Sequence, residues 1–427
     1  MKVLVVGSGG REHAILWKLS QSKTKLKLFC APGNGGISEI AQLVPIKVNE
    51  IEKLKEFALK EKIDLTVVGP ELPLAMGIVD EFQSAGLKIF GPRKKAAEIE
   101  SSKSFAKDLM NKYHIPTAAY RVFTDEKAAV DFVKQIGTPV VVKANGLAAG
   151  KGVIVASEPH ELKLAVQAVK QVFHNHDSKL NQQKVVIEEF LEGEELSLMA
   201  FVDGETVIPM QTAQDHKRIF DQDRGPNTGG MGAYSPVPQF SEEMIEKAVK
   251  SVLIPTARAL VKERRSFTGV LYAGLMITES GIKVIEFNAR FGDPETQVVL
   301  PRMDSDLFKV LMACADHNLS QLAAINWNKQ AVIAVVLASQ GYPGKYSTGK
   351  QIYGLEEITN DNIMAFHSGT AKSQDAIFTS GGRVLAVTAK GNDLATARRQ
   401  AYLAAGKIKF DGIHYRKDIG AKAFIKA

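Results

Sequence analysis

The spacing of apolar positions switches between two periods along the chain, and the switches mark out its elements. Lys2–Val6 is a short valine-rich run that predicts a buried strand. It ends in the glycine-rich turn Gly7-Ser8-Gly9-Gly10-Arg11-Glu12-His13, after which Ala14–Gln21 has a helical pattern. Strands are expected at Leu26–Cys30 and Leu65–Val68, with a helix at Glu52–Lys62 between them and a last strand at Ile89-Phe90. Strands alternating with helices predict βαβ units and a parallel sheet.

Further on, Ala96–Lys112 reads as one helix, with Lys103 in its first half. Pro139–Lys143 and Val153–Ala156 read as strands flanking the glycine loop Ala144–Gly152. A strand, a glycine loop carrying Lys151 and a returning strand predict a hairpin lid over phosphates. Its spacing is not that of a Walker A loop: Gly146 to Gly150 is one residue short, and Gly152 stands where a hydroxyl would bind a metal. Gly344–Lys350 comes nearer to that spacing but is followed by Gln351 and no helical pattern, so it reads as a loop. Val185–Leu191 is another apolar strand, running into Glu192-Gly193-Glu194-Glu195. Ser241–Arg264 predicts a long helix kinked at Pro255. Gly269–Ile277 and Lys283–Phe287 form a pair of strands turning at Ser280-Gly281.

The last strand brings in chemistry. Alternation places Glu286 and Asn288 on one face and Phe287 on the other. A carboxylate and an amide carbonyl on a rigid strand suit a hard cation such as Mg²⁺. Arg290 follows on the same side and offers a fork for a phosphate or carboxylate. The turn Gly292-Asp293-Pro294 brings Asp293 and Glu295 back towards it. By itself the stretch reads as a strand end with a solvated charged turn. Its companions change that reading. The turn at Gly7–Gly10 offers backbone N–H groups to an anion at a helix start. Glu71 sits at a strand C-terminus, where α/β sheets bind ligands. The polar run Gln211–Arg224 leads into the glycine loop Asn227–Tyr234, a setting for a small polar anion. The backbone around Glu188–Leu191 could face an adenine edge, and Glu195 the ribose hydroxyls. His174-Asn175-His176 has no third ligand at metal spacing and reads as solvated.

Composition narrows the class. At 427 residues, with 45% hydrophobic and 24% charged positions, the chain predicts an ordinary globular protein of two to four domains. No apolar run is long enough to cross a bilayer, and the apolar part of the N-terminus is too short for a signal peptide. Cys30 and Cys314 lie in apolar contexts, which predicts buried thiols and a reducing cytoplasm. The net charge of +7 is spread along the chain, so it favours anionic small substrates over nucleic acid. A nicotinamide oxidoreductase is disfavoured because Glu12 stands where the fingerprint needs its third glycine, and no acid follows the strand at Leu26–Cys30. A non-catalytic nucleotide-binding regulator would be expected to have lost Glu286, Lys143 or Arg290, and all three are present.

The lid at Lys143–Gly152, the linker strand at Glu188–Leu191 and the metal strand at Glu286–Asn288 resemble the ATP-grasp superfamily. Within it, Gly7–His13, Asn227–Tyr234 and Arg290–Gln297 are similar to the phosphoribosylamine–glycine ligases, a likeness that runs end to end. The resemblance implies an N-terminal α/β domain over 1–102 and an ATP-grasp domain over 103–326, with its lid at about 120–190. A C-terminal mixed α/β domain over 327–427 completes it. The implied reaction joins glycine to 5-phosphoribosylamine, converting ATP to ADP and phosphate, in purine synthesis. It further implies that Lys103, Lys143, Gly150, Lys151 and Gly152 meet ATP phosphates, Glu188, Glu189, Phe190 and Leu191 the adenine, and Glu195 the ribose. Glu286 and Asn288 would hold Mg²⁺ or Mn²⁺. Gly9, Gly10, Arg11, Glu71, Asp215, Lys217, Asn227, Gly229, Gly230, Arg290, Gly292, Asp293 and Pro294 would surround the reacting substrates. Arg290, Asp215 and Asp293 would act in catalysis, with either aspartate open as proton acceptor. One departure stands out: many ATP-grasp enzymes carry a further acid on the preceding strand, where this chain has Tyr272, Gly274 and Met276. The resemblance implies small-molecule partners only, no nucleic acid or membrane, a cytoplasmic location, and a monomer or weak dimer.

Overall fold

The computed structural model describes residues 1–147, 152–174 and 184–424. The expected positions Gly150 and Lys151, and the Asn175-His176 part of the histidine pair, lie outside the described residues.

The N-terminal sheet has five parallel strands in the order Gln42–Leu43, Lys27–Pro32, Lys2–Gly7, Leu65–Val68, Ile89–Phe90. Chain order reverses at the edge between Lys2–Gly7 and Leu65–Val68, so the turns that follow these two strands flank one crevice. The interior strands are buried on both faces, which is why they read as unbroken apolar runs. Cys30 and Cys314 are buried free thiols.

The region read as one helix at Ala96–Lys112 is two, Lys94–Ser101 and Lys103–Lys112. Ser102 breaks it by taking an extended backbone, and its hydroxyl caps the second helix by accepting from the Phe105 N–H. This break places Lys103 at the start of a new helix. The lid is an antiparallel sheet in the order Tyr120–Phe123, Val185–Glu189, Val140–Ala144, Val153–Ala156. The helices Glu126–Ile136 and Leu162–His174 cover it, and it has its own apolar core around Val133, Val142, Val169 and Ile187.

The central sheet is antiparallel: Thr206–Pro209, Glu194–Asp203, Thr268–Thr278, Gly281–Asn288. The helix expected over Ser241–Arg264 runs from Glu242 to Lys262 but carries a π-turn at Val249–Leu253. The wider turn just ahead of Pro255 relieves the clash between its ring and the preceding turn. A fourth unit contains the antiparallel sheet Gln214–Asp215, Gly232–Ser235, Ala331–Ala338, Arg383–Gly391, Ile363–His367, with helix Leu394–Ala405 against it. Two of its strands therefore come from the middle of the sequence and three from the end.

Candidate functional site

The turn after the first strand is already a helix at Gly10, four residues before the pattern suggested. Glu12 explains the early start. It is 1% exposed, and its carboxylate accepts the Gly9 N–H at 2.6 Å, capping the helix from its third position. Arg11 Nε pairs with Glu12 at 2.5 Å, and Arg11 Nη1 donates to the Phe291 carbonyl at 3.2 Å. A Cβ at Gly7 or Gly69 would collide with the Glu12 side chain. The residue that broke the dinucleotide fingerprint is thus the one around which the crevice is built.

Four buried or half-buried groups meet between lid and central sheet. Lys143 Nζ, on a lid strand, donates to Glu188 at 3.0 Å and to the Ile285 carbonyl at 2.9 Å. Lys107 Nζ reaches the same Glu188 oxygen at 2.7 Å and donates to Thr117 at 2.8 Å. Lys103 Nζ donates to the Gly146 carbonyl at 2.8 Å, at the start of the glycine loop. Burial pushes the Lys107 amine down to about 8 despite the attraction of Glu188. Glu189 is occupied at the lid hinge, accepting from Lys283 at 2.7 Å and the Ala119 N–H at 3.0 Å. Phe190, just beyond, is exposed, and Leu191 is half-buried.

The strand Gly281–Asn288 is irregular where it matters. Leu275 pairs with Val284 and Gly274 with Glu286, which leaves Ile285 as an extra, bulged residue. Without the bulge Glu286 would share a face with Ile282 and Val284. With it, Phe287 joins those two in the core and Glu286 and Asn288 turn to the other face. Among the described residues no cation lies within salt-bridge distance of Glu286. Burial opposes its ionisation, but Lys217, Lys143 and Lys103 hold its carboxyl below the ordinary value. The Asn288 carbonyl accepts from Arg290 Nη2 at 3.1 Å. An ionised carboxylate free of partners beside an amide oxygen fits a hard divalent cation. Among the described residues there is no cluster of three acids, histidines or cysteines, so the remaining ligands would have to come from substrate oxygens and water.

Arg290 is held from two sides, by Glu71 at 3.3 Å and by Glu100 at 3.1 Å. Glu100 was not legible as a site residue. It lies on the helix Lys94–Ser101, and burial pushes its carboxyl up while Arg290 draws it down.

The two candidate aspartates differ sharply. Burial pushes the Asp215 carboxyl up to about 7; Lys217 opposes this, while the negative charges of Glu295, Glu195 and Glu286 add to it. Lys217 is ion-paired to Glu195 at 2.6 Å and lies 3.8 Å from Asp215. Asp293 is half-buried, and against the effect of burial Arg383 and Arg11 hold it below its ordinary value. It accepts from Gln297 at 2.8 Å and Arg383 at 3.0 Å. Glu295 accepts from Ser197 at 3.2 Å and Tyr272 at 3.0 Å, so the tyrosine on the preceding strand serves a neighbouring acid.

Asp293 lines a cleft of ≈ 350 Å³ together with Ser8, Gly9, Asn34, Tyr342, Ser368 and Arg383, among other residues. The last three come from the C-terminal part of the chain. The nearest sequence signal for them is the Gly381-Gly382 pair before a strand, which by itself says only turn. Gly229 and Gly230 reach the same place: the Gly229 carbonyl accepts from Arg383 Nη1 at 2.5 Å, and a Cβ on Gly230 would collide with Pro294. Asn227 ends the strand that leads into this loop, and Gly292 leaves room for the Glu295 side chain. Gly10 packs against Gln297 and Ser368.

Residues 1–100, 101–296 and 332–422 match, in turn, the N domain, the ATP-grasp (A) domain and the C domain of phosphoribosylglycinamide synthetase. The chain is 56% identical to the phosphoribosylamine–glycine ligase of Halalkalibacterium halodurans, over 99% of this chain and 97% of that one. Its structure superposes on a crystal structure of phosphoribosylamine–glycine ligase from Thermotoga maritima with a TM-score of 0.84. That pair is 32% identical and covers 98% of this chain and 100% of the other. Biotin carboxylase from Campylobacter jejuni, 16% identical with a TM-score of 0.75 over 97% of this chain and 92% of that one, shares the fold. With its parallel N-terminal sheet, ATP-grasp centre and C-terminal sheet, the chain belongs to the phosphoribosylglycinamide synthetase family of ATP-grasp ligases.

Proposed function

We propose that the protein joins glycine to 5-phosphoribosylamine, converting ATP to ADP and phosphate, and that its crevice divides the labour as follows. Carboxylates are poor acyl donors because oxide is a poor leaving group. A glycine carboxylate oxygen therefore attacks the γ-phosphorus of ATP, releasing ADP and forming glycyl phosphate. The amine then attacks the glycyl carbonyl, phosphate departs, and the nitrogen gives up a proton. Phosphoryl transfer of this kind needs positioning and charge neutralisation more than a protein nucleophile. Lys103 and Lys143 supply positive charge on the ATP side, and Glu188–Leu191 lie where the lid meets the central sheet, the place for the adenine. Glu195 orients Lys217 and faces the ribose. Glu286 and Asn288 would hold Mg²⁺, with Mn²⁺ as substitute; the ion supplies charge neutralisation on the phosphates. The lid excludes water, which would otherwise hydrolyse the acyl phosphate.

The observation that carries this reading is one carboxylate, Glu286, which has no cation within salt-bridge distance among the described residues yet is held ionised by the charges of Lys217, Lys143 and Lys103. Asp215, the acid pushed up to about 7, is the proton acceptor: it can take a proton and release it near neutral pH. Asp293, held ionised between arginines, is the weaker base and serves to shape the amine side with Arg290, Arg11 and Gly9. The protein acts in the cytoplasm as a monomer or weak dimer; no helix among the described residues is long and apolar enough to cross a membrane. The test is ADP release with purified protein, ATP, Mg²⁺ and glycine, with and without phosphoribosylamine formed in place from ribose 5-phosphate and ammonia. Release should require both co-substrates and yield one amide product. Equal release without the amine overturns the assignment.

A further inference from the structure

The C-terminal sheet contributes a side chain to the heart of the crevice that neither the sequence motifs nor the reaction chemistry calls for. Arg383 begins the strand Arg383–Gly391, and its guanidinium points out of the sheet into the cleft. Nη1 donates to the Gly229 carbonyl at 2.5 Å and to the Asp293 carbonyl at 3.0 Å, and Nη2 pairs with the Asp293 carboxylate at 3.0 Å. One planar fork therefore spans two loops that are far apart in the chain. Tyr342 completes the grip, its hydroxyl accepting the Gly229 N–H at 3.0 Å. Both backbone groups around Gly229 are thus tied to the C-terminal part of the chain.

Little else on the glycine loop can hold it to its neighbour. Gly229 and Gly230 carry no side chain to pack, and glycine loses the most backbone freedom on ordering. Gly230 adopts φ +109 and presses against Pro294, a contact only glycine permits. The backbone of Arg383 fixes the opposite wall: its carbonyl accepts the Gly369 N–H at 2.9 Å, and the Gly369 carbonyl accepts the Ser380 N–H at 2.8 Å. The cleft that remains is bounded by Ser8 and Gly9 from the first turn, Asp293, and Ser368 and Thr370.

We propose that Arg383 is a positioning residue for the amine substrate: by clamping Gly229 to Asp293 it assembles the cleft wall that receives phosphoribosylamine, leaving the ATP site untouched. The inference rests on the ligase reading above. It predicts a split between substrates, because among the described residues Arg383 bonds to Gly229 and Asp293 and shares no bond with Lys103, Lys143 or Glu188.

The experiment is steady-state kinetics on Arg383→Gln, Arg383→Lys and Tyr342→Phe, each with thermal melting. Wild-type dependence on the amine is established first, so that failure of the ligase reading is seen separately. Arg383→Gln loses the charge-assisted fork and should raise KM for phosphoribosylamine about 10-fold or more. KM for ATP should stay within about twofold. Arg383→Lys keeps the charge but lacks the fork and should fall in between. An amine KM within about twofold of wild type in folded Arg383→Gln, or an equal rise for ATP, overturns the proposal. If Arg383→Gln does not fold, Tyr342→Phe decides: a selective rise in amine KM supports the clamp, and an unchanged one overturns it.

Discussion

Replacing Lys107 by Met tests how the lid lysines are arranged, and the expected outcome runs against intuition. Lys107 is 2% exposed and sits 2.7 Å from Glu188, so removing it breaks a buried ion pair. Breaking such a pair ordinarily destabilises by about 3–5 kcal/mol. Here Glu188 keeps a second partner, Lys143, at 3.0 Å. The Lys107 amine, moreover, is held at about 8 against an ordinary 10.5. At about 1.4 kcal/mol per unit, the native state gives up about 3 kcal/mol at neutral pH to keep this proton, even with Glu188 beside it. Met has a similar volume and carries no charge. It loses the bond to Thr117, worth about 1 kcal/mol net, while the attraction of Glu188 is already contained in the value of about 8. Lys107→Met should therefore be neutral to about 2 kcal/mol more stable at pH 7, by urea unfolding. The sign with pH follows from the folded value lying below the unfolded one. The penalty is fully present below about 8 and fades as pH rises towards 10.5, so any advantage of the variant should vanish over that window. Catalysis should move the other way. Glu188, released from Lys107, binds Lys143 alone and draws it from the triphosphate, so kcat/KM for ATP should fall about 10-fold or more. A loss of more than about 1 kcal/mol at pH 7 would refute the charge argument, and an unchanged kcat/KM for ATP would refute the positioning role.

Two further outcomes follow from the same crevice. Glu286→Gln keeps shape but removes the charge that suits a cation; turnover should drop by about 10²-fold or more with the fold intact by circular dichroism, and wild-type turnover at limiting Mg²⁺ would show that Glu286 is not the ligand. With Asp215 raised to about 7, kcat/KM for the amine should climb with pH through that value as the base loses its proton. Asp215→Asn should abolish the climb along with most of the rate, and an unaltered pH profile in the variant would assign the proton to another group.

The fold class was legible because its elements announce themselves locally. The strand Lys2–Gly7 and its neighbours are apolar runs bounded by glycine and proline, and their alternation with helices leaves a parallel sheet as the natural arrangement. Glu286 and Asn288 were legible as a same-face pair for a similar reason. The bulge at Ile285 was not: it exists because two strands slip by one residue, and neither strand alone encodes the slip. The break at Ser102 could have been read from its N-cap chemistry, since serine followed by helix formers is a start signal. Lys107, Glu100 and Arg383 lay beyond reach. Each sits on an ordinary helix or strand, and its meaning comes from a partner 81, 190 or 154 positions away in contacts that no periodicity marks. The grouping of Gln214–Asp215 and Gly232–Ser235 with the C-terminal strands was hidden for the same reason.

That shared sheet has a consequence for how the molecule comes into being. Gly232–Ser235 pairs early with Gln214–Asp215, but its second neighbour is Ala331–Ala338, and Arg383 closes the glycine loop later still. A ribosome adding about 5–20 residues per second presents the lid and the strand of Glu286 seconds before either arrives. During synthesis, the half of the crevice proposed to face the nucleotide is therefore made while the half proposed to face the amine is still open. A transcript cut short after residue 331 would leave a chain that holds its lysines and Glu286 but has no wall against which to finish the reaction.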